Sequence, residues 1–383
     1  MSVTAPAGFR AAGVAAGLKS SGAPDVAVVV NDGPRHDAAA VFTANRVAAA
    51  PVLWSRQVVA DGRLDAIVLN SGGANAATGP PGFADTHHTA QEAARLLGVS
   101  TLDVAVASTG LIGVRLPMPV LLGGVARAVG GLSTDGGADA AVAIMTTDTR
   151  PKTTVARGAG YRVGGMAKGA GMLAPALATM LVVLTTDAVV EPGVLDSALR
   201  AATAVTFDRV DSDGCQSTND TVVLLASGAS GVVVRPDELT GTLTRACADL
   251  AAQLVADAEG AHHEVAVRVV GGAVESDALE VARAVARNAL VKCAIFGRDP
   301  NWGRVLAAVG TTHAAFDPSV LDVTMNGVPV CVDSAPGQPR ELVDLSGRSV
   351  SIVIDLKAGP AEATILTTDL TYDYVRENAE YPT

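Results

Sequence analysis

Aromatic residues are scarce: two Trp, four Tyr and six Phe make up 3% of 383 residues, so the apolar core must be built from Ala, Val and Leu and turned by the 40 glycines. Positive charge is also in short supply. Lys and Arg number 28 against 39 Asp and Glu, a net charge of -11 that repels a phosphate backbone and argues against nucleic acid or an anionic membrane as a main partner. The four cysteines, Cys215, Cys247, Cys293 and Cys331, are widely spaced with no C-x-x-C. They indicate neither a zinc knuckle nor a disulfide framework, and reduced thiols in a cytoplasmic setting are expected. The N-terminal MSVTAPAGFRAAGVAAGLKSSG lacks the basic start and long apolar core of a signal peptide, so no export is expected. The run Met172 to Leu184 is interrupted by Pro175 and Thr179 and falls short of the ~20 residues that span a bilayer.

Familiar chemical signatures are missing too. No G-x-x-x-x-G-K-[ST] occurs, because Lys168 follows Ala167, and no serine has the glycines of a nucleophile elbow. GAGMLA at 169 to 174 fits G-x-G-x-x-A, but Pro175 stands where the dinucleotide-binding helix should continue. The pairs His87-His88 and His262-His263 have no third ligand at helical spacing and are expected to be exposed and solvated. His36 and His313 are solitary. Neither a metal nor a bound cofactor is expected.

What is present is a large apolar scaffold. Hydrophobic residues make up 49% and charged residues 17%, which excludes disorder. The length exceeds the ~250 to 300 residues at which one core stops growing, so two lobes or two packed layers are expected. Strands are predicted at Val26 to Val30, Ala66 to Leu69, Val104 to Ala107, Met180 to Leu184, Val222 to Ala226, Val265 to Val270, Val350 to Ile354 and Ala363 to Thr367. Most are continuous apolar runs, expected to be covered on both faces in a central sheet. Helices are predicted at Thr89 to Leu97, Pro192 to Ala204, Asp277 to Lys292 and Asp237 to Ala256, the last with Leu239, Leu243, Leu250 and Leu254 on one face. The pattern is that of a layered α/β sandwich.

Within KGAGMLAPALATMLVVLTTD, Thr179 is a lone hydroxyl in an apolar run. Gly169 and Gly171 loosen the backbone before it, Pro175 blocks a helix, and Ala178 leaves the preceding carbonyl uncrowded. A threonine so placed can attack that carbonyl, and hydrolysis of the resulting ester frees a chain beginning at Thr179. Its α-amine, with a reference pKa of about 7.7 to 8.0, can then serve as the base for its own Oγ. A core threonine bonded to a backbone carbonyl is the alternative.

Small polar clusters accompany it. Ser108-Thr109-Gly110 follows a predicted strand, where a hydroxyl and a glycine N–H can hold a developing oxyanion. Further clusters are Thr146-Thr147-Asp148-Thr149, Ser217 to Thr221, Asp299 to Arg304 and Asn378 to Thr383. Together with GFRAAGVAAGLK, AVFTANRVAAAPV, LNSGGANAATG, STGLIG, TTDTRPK, KGAGM, ATML, DGCQSTNDTV, DAEGA, DPNWGR and the tail NAEYPT, they make the chain resemble the ornithine acetyltransferases from end to end.

That resemblance implies a ping-pong acetyl transfer from N2-acetylornithine to glutamate, with acetyl-CoA a further donor in bifunctional members. The implied fold is a self-cleaving threonine-nucleophile sandwich of two interleaved lobes. Residues 1-178 and 179-383 would be the two chains after cleavage between Ala178 and Thr179, associated as an oligomer of such pairs. Thr179 is the implied nucleophile, Thr109 and Gly110 the oxyanion hole, and Thr146, Lys168, Thr179, Glu259, Asn378 and Thr383 the substrate contacts. Lys168 suits an α-carboxylate and Glu259 an amino group. The chain departs from the family at Gly73, at His262-His263 and at Pro382; none of these is expected to touch Thr179 or the oxyanion hole. A self-cleaving aminopeptidase-type hydrolase and a nicotinamide-dependent oxidoreductase stay open as alternatives.

Overall fold

The computed structural model describes residues 2–172 and 180–380. Of the residues singled out above, Pro175, Ala178, Thr179, Pro382 and Thr383 lie outside the described residues. Among the described residues the chain divides into two compact units, one comprising the residues up to Asp208 together with Cys215–Asp257, the other Arg209–Gly214 and the residues from Ala258 to Glu380. The units interleave in sequence, as expected of the lobes.

In the first unit, the runs Val26–Asn31, Ala66–Asn70, Val104–Ser108, Leu181–Thr186 and Thr221–Ala226 are buried at every position. They do not form one central sheet, however. Phe9–Val14, Val26–Asn31, Ala66–Asn70 and Val104–Ser108 make a four-stranded sheet in that order. A second sheet of five runs Asp37–Phe42, Thr221–Ala226, Leu181–Thr186, Arg162–Lys168 and Lys152–Arg157. Leu181, Val183, Val223 and Leu225 share a core with Val28, Ile67 and Val106, so the sheets stack face to face. Helices Pro192–Ala204 and Pro236–Ala256 pack on the second sheet, and Leu239, Leu243, Leu250 and Leu254 are all buried.

The single-sheet expectation fails because several strands carry weak signals. Arg162–Lys168 contains Gly164-Gly165, poor strand formers, yet a side chain at Gly164 would meet the Ser2 carbonyl oxygen at 2.3 Å. Close backbone approach requires glycine there.

The second unit holds a six-stranded sheet. Its order is Ala335–Pro336, Val328–Val332, Asp322–Met325, Ser349–Asp355, Glu264–Gly272 and Ala361–Thr368. Its strands alternate: Val265, Val267 and Val269 are buried while Arg268 is exposed, so only one face is fully covered, contrary to the expected two. Helix Glu275–Arg287 covers that face with Ala278, Val281, Ala282 and Val285. The single helix expected from Asp277 to Lys292 breaks at Asn288, whose side chain accepts the Val291 N–H at 3.1 Å and caps a new helix, Ala289–Phe296. Helix Gly79–Leu97 starts well before the expected Thr89, since Pro80 and Pro81 suit a first turn.

No helix among the described residues is long and apolar enough to cross a membrane.

Candidate active site

Strand Val104–Ser108 leads into Thr109 and Gly110, beside the loop that follows Ala66–Asn70. The Thr109 N–H donates to the Asn70 carbonyl at 2.9 Å, and the Gly73 N–H donates to the Thr109 carbonyl at 3.0 Å. Gly110 has φ +128°, and a Cβ there would lie 2.8 Å from Gly73 N, so only glycine fits. Gly73 therefore touches the Thr109-Gly110 turn directly, which corrects the expectation that this departure lies clear of it. A side chain at Gly73 would first meet the flexible end of Leu116, at 2.9 Å.

Lys168 closes strand Arg162–Lys168 and is 2% exposed. Its Nζ donates to Thr109 Oγ1 at 3.4 Å, so a buried cation and a hydroxyl meet at adjoining strand ends. Asp148 organises the rest. Its Oδ1 accepts from Lys152 Nζ at 2.5 Å and from the Gly169 N–H at 2.7 Å, and its Oδ2 accepts the Thr146 N–H at 2.9 Å. Burial pushes this carboxyl up, but Lys168, Lys152 and the Gly169 N–H outweigh it and hold the carboxyl below its ordinary value. Lys152 is completely buried and also reaches Asp257 Oδ2 at 2.6 Å. Lys19, its Nζ on the Met145 and Pro24 carbonyls, is shifted down by burial, with nearby Lys168 acting in the same direction.

The segment Ser217 to Thr221 props this turn from behind. Asn219 Nδ2 donates to the carbonyls of Ser108 at 2.8 Å and Ala74 at 2.6 Å. Asp220 Oδ1 accepts the Met180 N–H at 3.1 Å, one residue beyond Thr179. Sequence reasoning places Asp148, Asn219 and Asp220 in polar clusters without giving any of them a role. The available signal is a run of polar residues leading straight into the wholly buried strand Thr221–Ala226, where each must find a partner.

Thr109, Gly110, Thr146 and Lys168 belong to the first unit, and Glu259 and Asn378 to the second. Asn378 lies in helix Tyr372–Glu380, and its Nδ2 donates to Glu259 Oε2 at 3.1 Å. The tail is thus helical through Glu380. His262-His263 corrects another expectation. His262 is exposed, with Nε2 2.7 Å from Asp373, but His263 is buried, with Nδ1 2.7 Å from Asp369 and Nε2 3.2 Å from the Leu345 carbonyl. The alternation of the strand that begins at Glu264 explains the split. His88 is exposed as expected, while His87 is half-buried with its ring 5.1 Å from Trp54.

A model of the ArgJ family matches residues 10–383. The arginine biosynthesis bifunctional protein ArgJ of Streptomyces avermitilis is 62% identical over 381 residues, covering 100% of both chains. That of Thermobifida fusca is 62% identical over 383 residues, again covering 100% of both. Among solved structures, the ornithine acetyltransferase of Mycobacterium tuberculosis complexed with ornithine aligns with a TM-score of 0.43 at 55% identity, over 47% of this chain and 96% of that one. The ArgJ protein of Bacillus halodurans aligns with a TM-score of 0.49 at 37% identity, over 51% of this chain and 97% of that one.

Proposed function

Because the chain belongs to the ArgJ family, we propose that it transfers an acetyl group from N2-acetylornithine to glutamate through an ester on Thr179, in arginine biosynthesis. Thr179 Oγ attacks the acetyl carbonyl, ornithine leaves, and the glutamate amine then takes the acetyl group from the threonine ester. The relatives are named bifunctional, and acetyl-CoA is proposed as a second donor to the same threonine.

The observation that carries the reading is the meeting of Lys168 Nζ with Thr109 Oγ1 beside Gly110. A hydroxyl polarised by a buried ammonium, next to a glycine N–H, suits an oxyanion that forms only as the acetyl carbon becomes tetrahedral. Thr146 and Lys168 are assigned to substrate, Lys168 toward the α-carboxylate. Glu259, Asn378 and Thr383 are assigned to its other groups, Glu259 toward an amine.

Self-cleavage between Ala178 and Thr179 generates the nucleophile's free amine. Strands Arg162–Lys168 and Leu181–Thr186, on either side of the break, are hydrogen-bonded neighbours, so fragments 1-178 and 179-383 stay together after it. Assembly of such pairs into an oligomer and residence in the cytoplasm belong to the same reading.

The test is intact mass and peptide mapping after incubation with N2-acetylornithine alone. Two fragments and one acetyl group on the peptide beginning at Thr179 are expected. Release of free acetate at an equal rate with and without glutamate would identify a hydrolase instead.

A further inference from the structure

Asp220 stands one residue before strand Thr221–Ala226, which runs parallel to Leu181–Thr186 with Leu181 opposite Thr221. That register sets Asp220 beside Met180. The Met180 N–H donates to Asp220 Oδ1 at 3.1 Å, the Thr221 N–H donates to the Met180 carbonyl at 3.1 Å, and the Thr43 N–H donates to the Asp220 carbonyl at 3.0 Å. Asp220 has no solvent exposure, and its Oδ2 has no hydrogen-bond partner among the described residues. A buried polar atom left unpaired is costly and rare enough to call for an explanation.

We propose that Asp220 carries the proton for cleavage of the Ala178-Thr179 bond, an inference that rests on the self-cleavage reading above. Met180 N is bonded to the carbonyl carbon of Thr179, and backbone bond lengths keep Thr179 N within about 4 Å of Met180 N. A carboxyl fixed on Met180 N is therefore held one residue along the chain from the nitrogen that must be protonated. As the reaction runs, Thr179 Oγ bonds to the Ala178 carbonyl carbon and the bond from that carbon to Thr179 N breaks. The Oγ proton passes to one carboxyl oxygen while the carboxyl's own proton passes from the other to Thr179 N. Asp220 ends protonated as it began, and no external acid or base is consumed. Water then adds to the Ala178 carbon, the ester bond to Oγ breaks, and Oγ regains a proton. The products are an Ala178 carboxylate and a Thr179 α-ammonium.

The surroundings suit a carboxyl that starts protonated. Burial raises Asp220 well above the ordinary carboxylate value. The Met180 N–H, the Ser217 hydroxyl, the Lys168 charge and the Thr43 hydroxyl oppose that rise only in part. Of these, Lys168 is the charged group, and the Thr43 hydroxyl already donates to the Ser217 carbonyl at 2.6 Å.

The test is Asp220→Asn, which keeps an oxygen for the Met180 N–H but cannot relay a proton. Wild type, Asp220→Asn and Thr179→Ala are made by cell-free translation and followed in time by intact mass, with melting temperature as the check of folding. Wild type is expected to give fragments 1-178 and 179-383, Thr179→Ala to remain whole, and Asp220→Asn to be cut at least about 10²-fold more slowly. Cleavage of folded Asp220→Asn at the wild-type rate overturns the role of Asp220 and leaves self-cleavage standing. A wild-type chain that stays whole overturns both. Pulse-labelled wild type chased between pH 5 and 9.5 decides the matter if the variant does not fold. A rate that is flat or falls as pH rises supports the acid, and a rate that climbs with pH overturns it.

Discussion

Replacing Asp148 with asparagine should destabilise the first unit by several kcal/mol. The wild-type carboxylate lies between buried Lys152 and the Gly169 and Thr146 N–H groups. Lys152 and Lys168 are 0% and 2% exposed, so neither can turn to solvent when the Asp148 carboxylate is lost, although Lys152 keeps its contact to Asp257 at 2.6 Å. Breaking a buried ion pair by removing one partner costs about 3–5 kcal/mol. At about 2–4 °C per kcal/mol for a unit of this size, the melting temperature should fall by roughly 6–20 °C at pH 7. The sign with pH is set by the direction of the Asp148 shift. A carboxyl held below its ordinary value adds stability above about pH 4 that is lost as pH falls through its folded pKa, so the gap between wild type and variant should narrow in acid. The assay is thermal unfolding followed by circular dichroism from about pH 3 to 8, a range that brackets the carboxylate's ordinary value. A single variant melting as wild type does at pH 7 would refute the charge-compensation argument.

Three further outcomes are expected. Thr109→Ala should slow acetyl transfer by roughly 10²-fold or more in kcat, measured by ornithine release, and a near-normal rate removes its hydroxyl from the oxyanion hole. Lys292 Nζ donates to the carbonyls of Ser212 and Thr368, and burial lowers its pKa to about 8. Between about pH 8 and 10.5 the unfolded chain binds a proton the folded chain lacks, so stability should rise with pH by up to about 3 kcal/mol relative to Lys292→Met. Parallel stability curves for the two proteins would contradict this. Deleting residues 378–383 removes the Asn378 contact to Glu259; it should leave cleavage intact and lower kcat/KM for acetyl transfer. An unchanged kcat/KM would show that the tail is dispensable.

Sequence alone was enough where a signal was local. Continuous apolar runs marked Val26–Asn31, Ala66–Asn70, Val104–Ser108, Leu181–Thr186 and Thr221–Ala226, since each is buried on both faces. Helical spacing of leucines marked Pro236–Ala256. Partners distant in the chain were another matter. Which strands share a sheet depends on register, and no local pattern tells that Arg162–Lys168, with its two glycines, lies beside Leu181–Thr186. Likewise Asp148 looks like an ordinary loop aspartate until folding brings Lys152 and Gly169 onto its oxygens. Asp220 acquires its place only because a parallel register sets it against Met180 in a site closed to water, where a carboxyl's partners decide its charge.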